Sequence, residues 1–342
     1  MLSISSNAQP SPPRLRLGPY PVEVPSVLAP MTGVTDLPFR RIVARFGAGV
    51  VVSEMIASSQ IVAGDEEARL KLEGDGLSLH VVQIAGCDAV WMARAAKLAE
   101  GAGADVIDIN MGCPAKKVVG GMAGSALMRD VDHATSLVEA VVAAVRVPVT
   151  VKMRLGWDET SLNAPELARR VVEAGAVAIT VHGRTRNQFY DGTADWQAVR
   201  AVRSAIDVPL VVNGDIVDGQ TARLAMAQSG ADGVMIGRQA IGRPWLVGQI
   251  GRHLVTGAAV RDPGPVEQGD VAIEHYESAL SHYGVRIGMR MVRKHLAQYL
   301  ETALGCSPDE ATRLQILAND DPVSVTRSLA AFYSRLDERR AA

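Results

Sequence analysis

The chain has 342 residues, of which 48% are hydrophobic and 21% charged, so a sizeable core is available and global disorder is excluded. That length exceeds one small domain and suits a barrel of about 250 residues with an appendage. The formal net charge of -2 gives no overall attraction to nucleic acid, so any RNA contact has to come from local clustering of charge.

Aromatic residues make up only 4%. The core is therefore aliphatic, which suits Val/Ile/Ala-rich parallel strands covered by helices. Residues 1–18 contain Ser, Asn, Gln and Pro without a basic region leading into an apolar one, and read as a disordered leader, not a signal peptide. No run of 18 apolar residues occurs, so no membrane span is expected. Cys87, Cys113 and Cys306 lie far apart, without metal-ligand or disulfide spacing, and a reducing cytoplasm is the simplest setting. No metal site is expected.

From residue 27 onward, eight short β-branched runs alternate with Ala/Glu/Arg-rich stretches of helical period. The runs are 27–29, 50–53, 79–83, 106–109, 149–152, 178–182, 210–213 and 233–236. Strand and helix repeated eight times indicate an α/β protein with a (β/α)8 TIM barrel at 19–250. A doubly wound sheet is the runner-up. Gly257, Pro263, Gly264, Pro265 and Gly269 mark a linker at 251–270. Beyond it only helical periodicity remains, near 271–282, 287–303, 308–317 and 323–338, giving an all-helical C-terminal domain at 271–342.

Barrel strands direct their last residues toward the active face. Pro30-Met31-Thr32-Gly33 follows the first strand, and Gln83, Asn110, Lys152 and His182 end the third to sixth. Asn213-Gly214-Asp215 follows the seventh, and Gly237-Arg238 the eighth. Singly, Lys152 reads as a solvated lysine, His182 as a structural histidine and the glycines as turns. Together, at matching strand ends, they suit a phosphorylated planar cofactor. Glycines after strands seven and eight commonly bind phosphate through backbone N–H groups, and Arg238 adds a charge-assisted contact. Lys152 and Gln83 suit the pyrimidine edge of an isoalloxazine ring. A Gly-x-Gly-x-x-Gly fingerprint is absent, which favours FMN over FAD.

The fourth strand delivers Asp108-Ile109-Asn110-Met111-Gly112-Cys113-Pro114 into a loop with Lys116, Lys117 and the glycines at 120, 121 and 124. A lone cysteine is ordinarily a small buried hydrophobe. A thiol on a cationic, glycine-rich loop at the active face instead suits chemistry on a bulky anion, with the two lysines steering phosphate.

The Cys113 segment, Leu28-Ala29-Pro30-Met31-Thr32-Gly33-Val34-Thr35-Asp36-Leu37-Pro38-Phe39-Arg40, Ser53-Glu54-Met55, Val82-Gln83-Ile84-Ala85-Gly86, Lys152-Met153-Arg154, His182-Gly183-Arg184-Thr185, Asn213-Gly214-Asp215, Gly237-Arg238, Arg243-Pro244-Trp245 and Arg293-Lys294-His295 resemble the tRNA-dihydrouridine synthases. The resemblance runs from about residue 25 to 300 and is nearest the bacterial B-type subfamily. One departure is Thr32, where that family usually has alanine.

The resemblance implies an enzyme that binds FMN and takes electrons from NADPH to reduce a D-loop uridine, at position 17 or a neighbour, to dihydrouridine. Hydride passes from N5 of the flavin to C6 of the uracil, and Cys113 gives a proton to C5 as general acid. Asn110 and Arg184 are the candidates for holding the uracil edge and its developing charge. Such a base must be splayed out of folded transfer RNA. Arg286, Arg290, Arg293 and Lys294, at i, i+4, i+7 and i+8, form a basic stripe suited to RNA. Met289, Val292, Leu296, Tyr299 and Leu300 share another face and are expected to pack inward. A monomer is expected. Three alternatives stay open: a flavin barrel acting on a small dihydropyrimidine, a non-redox phosphate-binding barrel, and a non-catalytic RNA-binding protein.

Overall fold

In the computed structural model, which describes residues 15–303 and 308–341, the β-branched runs form one parallel sheet. Its strands, in spatial order, are Val50–Val51, Ser26–Leu28, Gly233–Ile236, Leu210–Asn213, Ala178–His182, Val149–Arg154, Val106–Met111, Val81–Ala85 and Ile56–Ala57. Every adjacent pair is parallel.

The run at 50–53, expected as one strand, is divided, and the division closes the barrel. Val50–Val51 pairs with the first strand, Val52 bridges to Val81, and Ile56–Ala57 pairs with Val81–Ala85. No edge is left for a doubly wound sheet. Polar groups cause the break. Ser53 Oγ accepts from the Gln83 backbone N–H and donates to the Glu54 carbonyl, while the Glu54 carboxylate turns to accept from Gly33 N.

Period-2 alternation sorts the apolar residues into two layers. Val27, Val81, Val106, Ala178, Val211 and Met235 fill the barrel interior. Ile107, Ile109, Val151, Ile179, Val181 and Val212 face the surrounding helices. Leu15 and Leu17 are buried with the interior set, on the hairpin of Arg16–Leu17 and Tyr20–Pro21. Residues 15–18 are thus part of the folded barrel and not of a leader; residues 1–14 lie outside the described residues. Aspartate starts six of the surrounding helices. Asp36, Asp65, Asp88, Asp130, Asp195 and Asp218 each accept from the backbone N–H three residues on, worth about 1 kcal/mol per cap.

The expected linker is mostly helical. Leu246–Thr256 completes the barrel and Pro265–Tyr283 opens the tail, leaving only 257–264 irregular. Gly269 is not a breaker: it lies inside the second of these helices against Tyr333, whose Cβ and ring atoms a methyl group would meet at 2.8–3.1 Å. Val285–Thr302, Glu310–Leu317 and Pro322–Ala341 complete the tail.

Val292, Leu296, Tyr299 and Leu300 pack inward as their period requires, with Tyr276, Leu329 and Phe332. Ile42 and Trp245 of the barrel share this core. Phe39 also reaches across, with its ring 5.4 Å from that of His275 and 4.8 Å from that of His295. Burial keeps both histidines neutral, with His275 pushed down to about 3 and His295 well below its ordinary value. Among the described residues no helix is long and apolar enough to cross a membrane. Cys306 lies outside the described residues.

Candidate active site

The strand ends open into a cavity of about 750 Å³ at the C-terminal mouth of the barrel. Pro30, Met31 and Thr32 line it from the first strand's loop, and Gln83, Asn110, Lys152 and His182 from the next strands. Asn213, Gly214, Asp215, Gly237 and Arg238 complete the set of expected cofactor positions. Cys113 and Arg184 face the same space. Gly237 is followed directly by the short 3-10 helix Arg238–Ala240. The first loop is pinned twice: Met31 N donates to Thr35 Oγ1, and Gly33 N to Glu54.

A hydrogen-bonded chain across three adjacent strands holds the thiol loop. Thr150 Oγ1 and Gln83 Nε2 each donate to the buried Asp108 carboxylate at 2.6 Å. Asn110 Nδ2 donates to Gln83 Oε1 at 2.7 Å, and Asn110 Oδ1 accepts from Gly112 N at 3.1 Å and Cys113 N at 2.9 Å. Burial pushes Asp108 up to about 6. Ser125 closes the loop by donating both its N–H and its hydroxyl to the Cys113 carbonyl. Cys113 is a half-buried free thiol.

Electropositive character dominates the cavity. Burial, reinforced by Arg154, brings Lys152 down to about 8, against the pull of Asp108 and Cys113. Burial and then the cations Lys152, Arg154, Arg184 and Arg238 hold His182 well below its ordinary value. His182 is therefore neutral. Its Nε2 accepts from Arg184 Nη1 at 3.3 Å, which puts the proton on Nδ1 as a donor. Among the described residues no group of three or more His, Cys, Asp or Glu side chains could hold a metal ion.

Two expected ligands are occupied with each other. Arg184, 2% exposed, donates Nη1 and Nη2 to Asp215 at 3.0 and 2.7 Å, Nε to Asp191 O and Nη2 to Gly192 O. With the His182 contact, all five of its N–H groups are engaged. Asp215 also accepts from Ala194 N. Arg184 and Asp215 therefore brace the loop after His182, and Arg184 has no N–H left over for a ligand. Asn110 holds the backbone of the Cys113 loop and also lines the cavity.

The basic stripe is rearranged as well. Arg286 and Arg290 are exposed at the start of Val285–Thr302. Arg293 turns to the other side and pairs with Asp320 at 2.9 Å. Lys294 leans over Gly33, where a methyl group would meet its Nζ at 2.5 Å, and is drawn toward Glu54 and Asp36. Lys116 and Lys117 are exposed on the short helix Lys116–Gly120, outside the cavity lining.

Sequence reasoning missed Arg154, Tyr190, Gln298 and Thr302 as cavity residues. Arg154 was legible, because it follows Lys152 by two on one strand and so faces the same side. Gln298 and Thr302, four apart on a tail helix, form one helical face, but nothing local says that the helix closes the cavity. Tyr190 lies in a loop without periodicity, with Arg238 4.6 Å and Arg154 5.6 Å from its ring centre. Backbone strain gathers here too: Met122, Phe189 and Asp215 have φ of 56°, 49° and 54°, conformations that persist at sites where the surroundings over-determine them.

Comparison with known proteins gives the same direction. Residues 27–335 match the family model described as dihydrouridine synthase (Dus). The chain is 52% identical over 331 residues to the probable tRNA-dihydrouridine synthase of Rhodobacter capsulatus, covering 96% of this chain and 98% of that protein. It is 42% identical over 328 residues to the tRNA-dihydrouridine synthase B of Pseudomonas putida, covering 95% of each. Among solved structures, an old yellow enzyme homologue from Zymomonas mobilis superposes with a TM-score of 0.51 at 17% identity, over 74% of this chain and 94% of that chain. That last likeness concerns the barrel fold alone.

Proposed function

Because the chain belongs to the dihydrouridine synthase family, we propose that it reduces a D-loop uridine of transfer RNA to 5,6-dihydrouridine, with bound FMN and with NADPH as reductant. Position 17 or a neighbour is the proposed target. The observation that carries the reading is the single cavity wall that brings Cys113 together with Lys152, His182 and the Gly237-Arg238 turn.

The donor set fits a flavin mononucleotide. Gly237 and Arg238 offer a backbone N–H and a cation for the phosphate. Lys152, Gln83 and the Nδ1–H of His182 offer donors for the ring. Gly214 keeps its backbone against the His182 ring, where a Cβ would sit 3.0 Å from Cδ2. When bound, the flavin supplies the hydride for C6 of the uracil. Cys113 supplies the proton for C5. Lys152 and Arg154 line the same cavity and stabilise the negative sulfur left behind. Asn110 and Ser125 fix the loop so that the thiol stays at the cavity wall.

A small dihydropyrimidine substrate would need no tail, yet Gln298 and Thr302 of the tail line the cavity. For the same reason tail deletion does not discriminate the two readings, since it would open the site itself. Both described cysteines are free thiols, in keeping with a reducing cytoplasm. The test is dihydrouridine mapping after incubation of the purified protein with NADPH and unmodified transfer RNA, with the visible spectrum recorded first. A yellow protein that forms dihydrouridine at one D-loop site, and whose Cys113→Ala variant forms it about 10²- to 10⁴-fold more slowly, is the expected result. A colourless protein, or a yellow one that leaves the RNA unchanged, overturns the proposal.

A further inference from the structure

The loops after the strands Val149–Arg154 and Ala178–His182 lie side by side, with Arg186 N donating to Gly156 O and Asn187 N to Trp157 O. They carry, with the end of the 3-10 helix Gly124–Arg129, a column of alternating cations and rings. The Arg129 guanidinium lies 4.9 Å from the Trp157 ring centre, and that of Arg186 lies 4.6 Å from Trp157 and 4.7 Å from Phe189. The inner end of the column meets the cavity wall, since the Phe189 carbonyl accepts from Arg154 Nη1 and the next residue, Tyr190, lines the cavity. The outer end, Arg129, is exposed and belongs to the same short helix that holds the Cys113 carbonyl through Ser125.

Holding two loops together does not require this composition. Two guanidinium groups crowd one indole, and among the described residues neither has a carboxylate partner. Arg186 Nη1 reaches only its neighbour Asn187, and its Nε is buried without a partner. Phe189 is held at φ 49° to complete the stack. Unpaired cations interleaved with rings suit a ligand that is anionic and planar in alternation, which is single-stranded nucleic acid.

Resting on the transfer RNA reading above, we infer that the column of Arg129, Trp157, Arg186 and Phe189 receives the nucleotides that flank the reduced uridine. The guanidinium groups meet phosphates, and the outer plane of Arg129 takes a base. With the target base turned into the cavity, its neighbours must leave along the rim, and this rim adjoins the Cys113 loop.

Two variants of the flavin-loaded enzyme test it, Arg129→Glu and Trp157→Leu, with unmodified transfer RNA binding measured across a series of salt concentrations. Arg129→Glu is expected to weaken binding about tenfold and to lower the slope of log affinity against log salt by about one. Trp157→Leu, which removes the platform under both cations, is expected to weaken binding at least about fivefold. The visible flavin spectrum stays unchanged in both. If Trp157→Leu loses flavin, its effect is structural and Arg129→Glu, at the exposed end, decides alone. Binding by Arg129→Glu within about twofold of the unaltered enzyme at every salt concentration overturns the inference, while dihydrouridine formation by the unaltered enzyme leaves the proposed activity standing. If the unaltered enzyme binds transfer RNA but forms no dihydrouridine, the activity fails and the column is judged on binding alone.

Discussion

Replacing Asn110 by alanine separates a residue that holds a base from one that holds the thiol loop. Asn110 is 7% exposed, and its carboxamide accepts from Gly112 N and Cys113 N and donates to Gln83. Alanine leaves two backbone N–H groups and one amide oxygen without partners. Each such group costs about 1–3 kcal/mol when fully buried. Cys113 is only half-buried, whereas Gln83 is buried, so water relieves one of the three, and the total falls to about 2–6 kcal/mol. At about 2.1 cal/mol/K per residue, a chain of 342 residues unfolds with an entropy of about 0.7 kcal/mol/K, so Tm falls by about 3–8 °C. Loosening the loop by about 1 Å costs about 10²-fold in rate. The assays are thermal unfolding of the flavin-loaded protein and single-turnover dihydrouridine formation, with transfer RNA binding measured beside them. An Asn110→Ala protein with unchanged Tm, unchanged turnover and weakened binding would refute the positioning role and restore the base-contact role.

Three further outcomes follow from the same geometry. Lys152 is held at about 8 against 10.5 in an unfolded chain; between those values the unfolded chain binds more protons, so stability of the flavin-free protein rises with pH across that window, by up to about 3 kcal/mol. Denaturant unfolding at both ends of the window should show the rise in the parent and not in Lys152→Met; a rise that survives the substitution removes Lys152 as its source. Gly214→Ala forces a side chain onto φ 115° with its Cβ 2.7 Å from that of Ala194 and 3.0 Å from the His182 ring, a strain of about 1–3 kcal/mol, and several-fold lower flavin occupancy is expected from the visible-to-ultraviolet absorbance ratio. Arg286→Glu combined with Arg290→Glu should weaken transfer RNA binding and lower its salt slope by about two with flavin occupancy intact; an unchanged slope would take the tail helix off the RNA path.

Much of the cavity lining is legible in the sequence because its signals are local. A strand that ends in a polar residue or a glycine shows this within four or five positions, so Gln83, Asn110, Lys152, His182, Asn213 and Gly237 could be collected one by one, and the cavity contains all of them. Local reading misplaced what depends on company. Gly269 looks like a breaker until Tyr333 stands against it, and Leu15 looks like part of a leader until the barrel interior receives it. Arg293 belongs to a basic stripe by spacing, but Asp320, from a different turn of the tail, has claimed it.

The sequence alone determined the alternation of strands and helices, the face on which polar residues gather, and the thiol on that face, because side-chain period and turn chemistry act between near neighbours. Only the tertiary structure decided which polar groups are free. Arg184 with Asp215, Asn110 with Gln83, and Trp157 with Arg129 and Arg186 join residues 27 to 31 positions apart. No local pattern encodes such pairings. They are set by the closure of the barrel, which brings separate loops to one rim and leaves each buried charge to find its partner there.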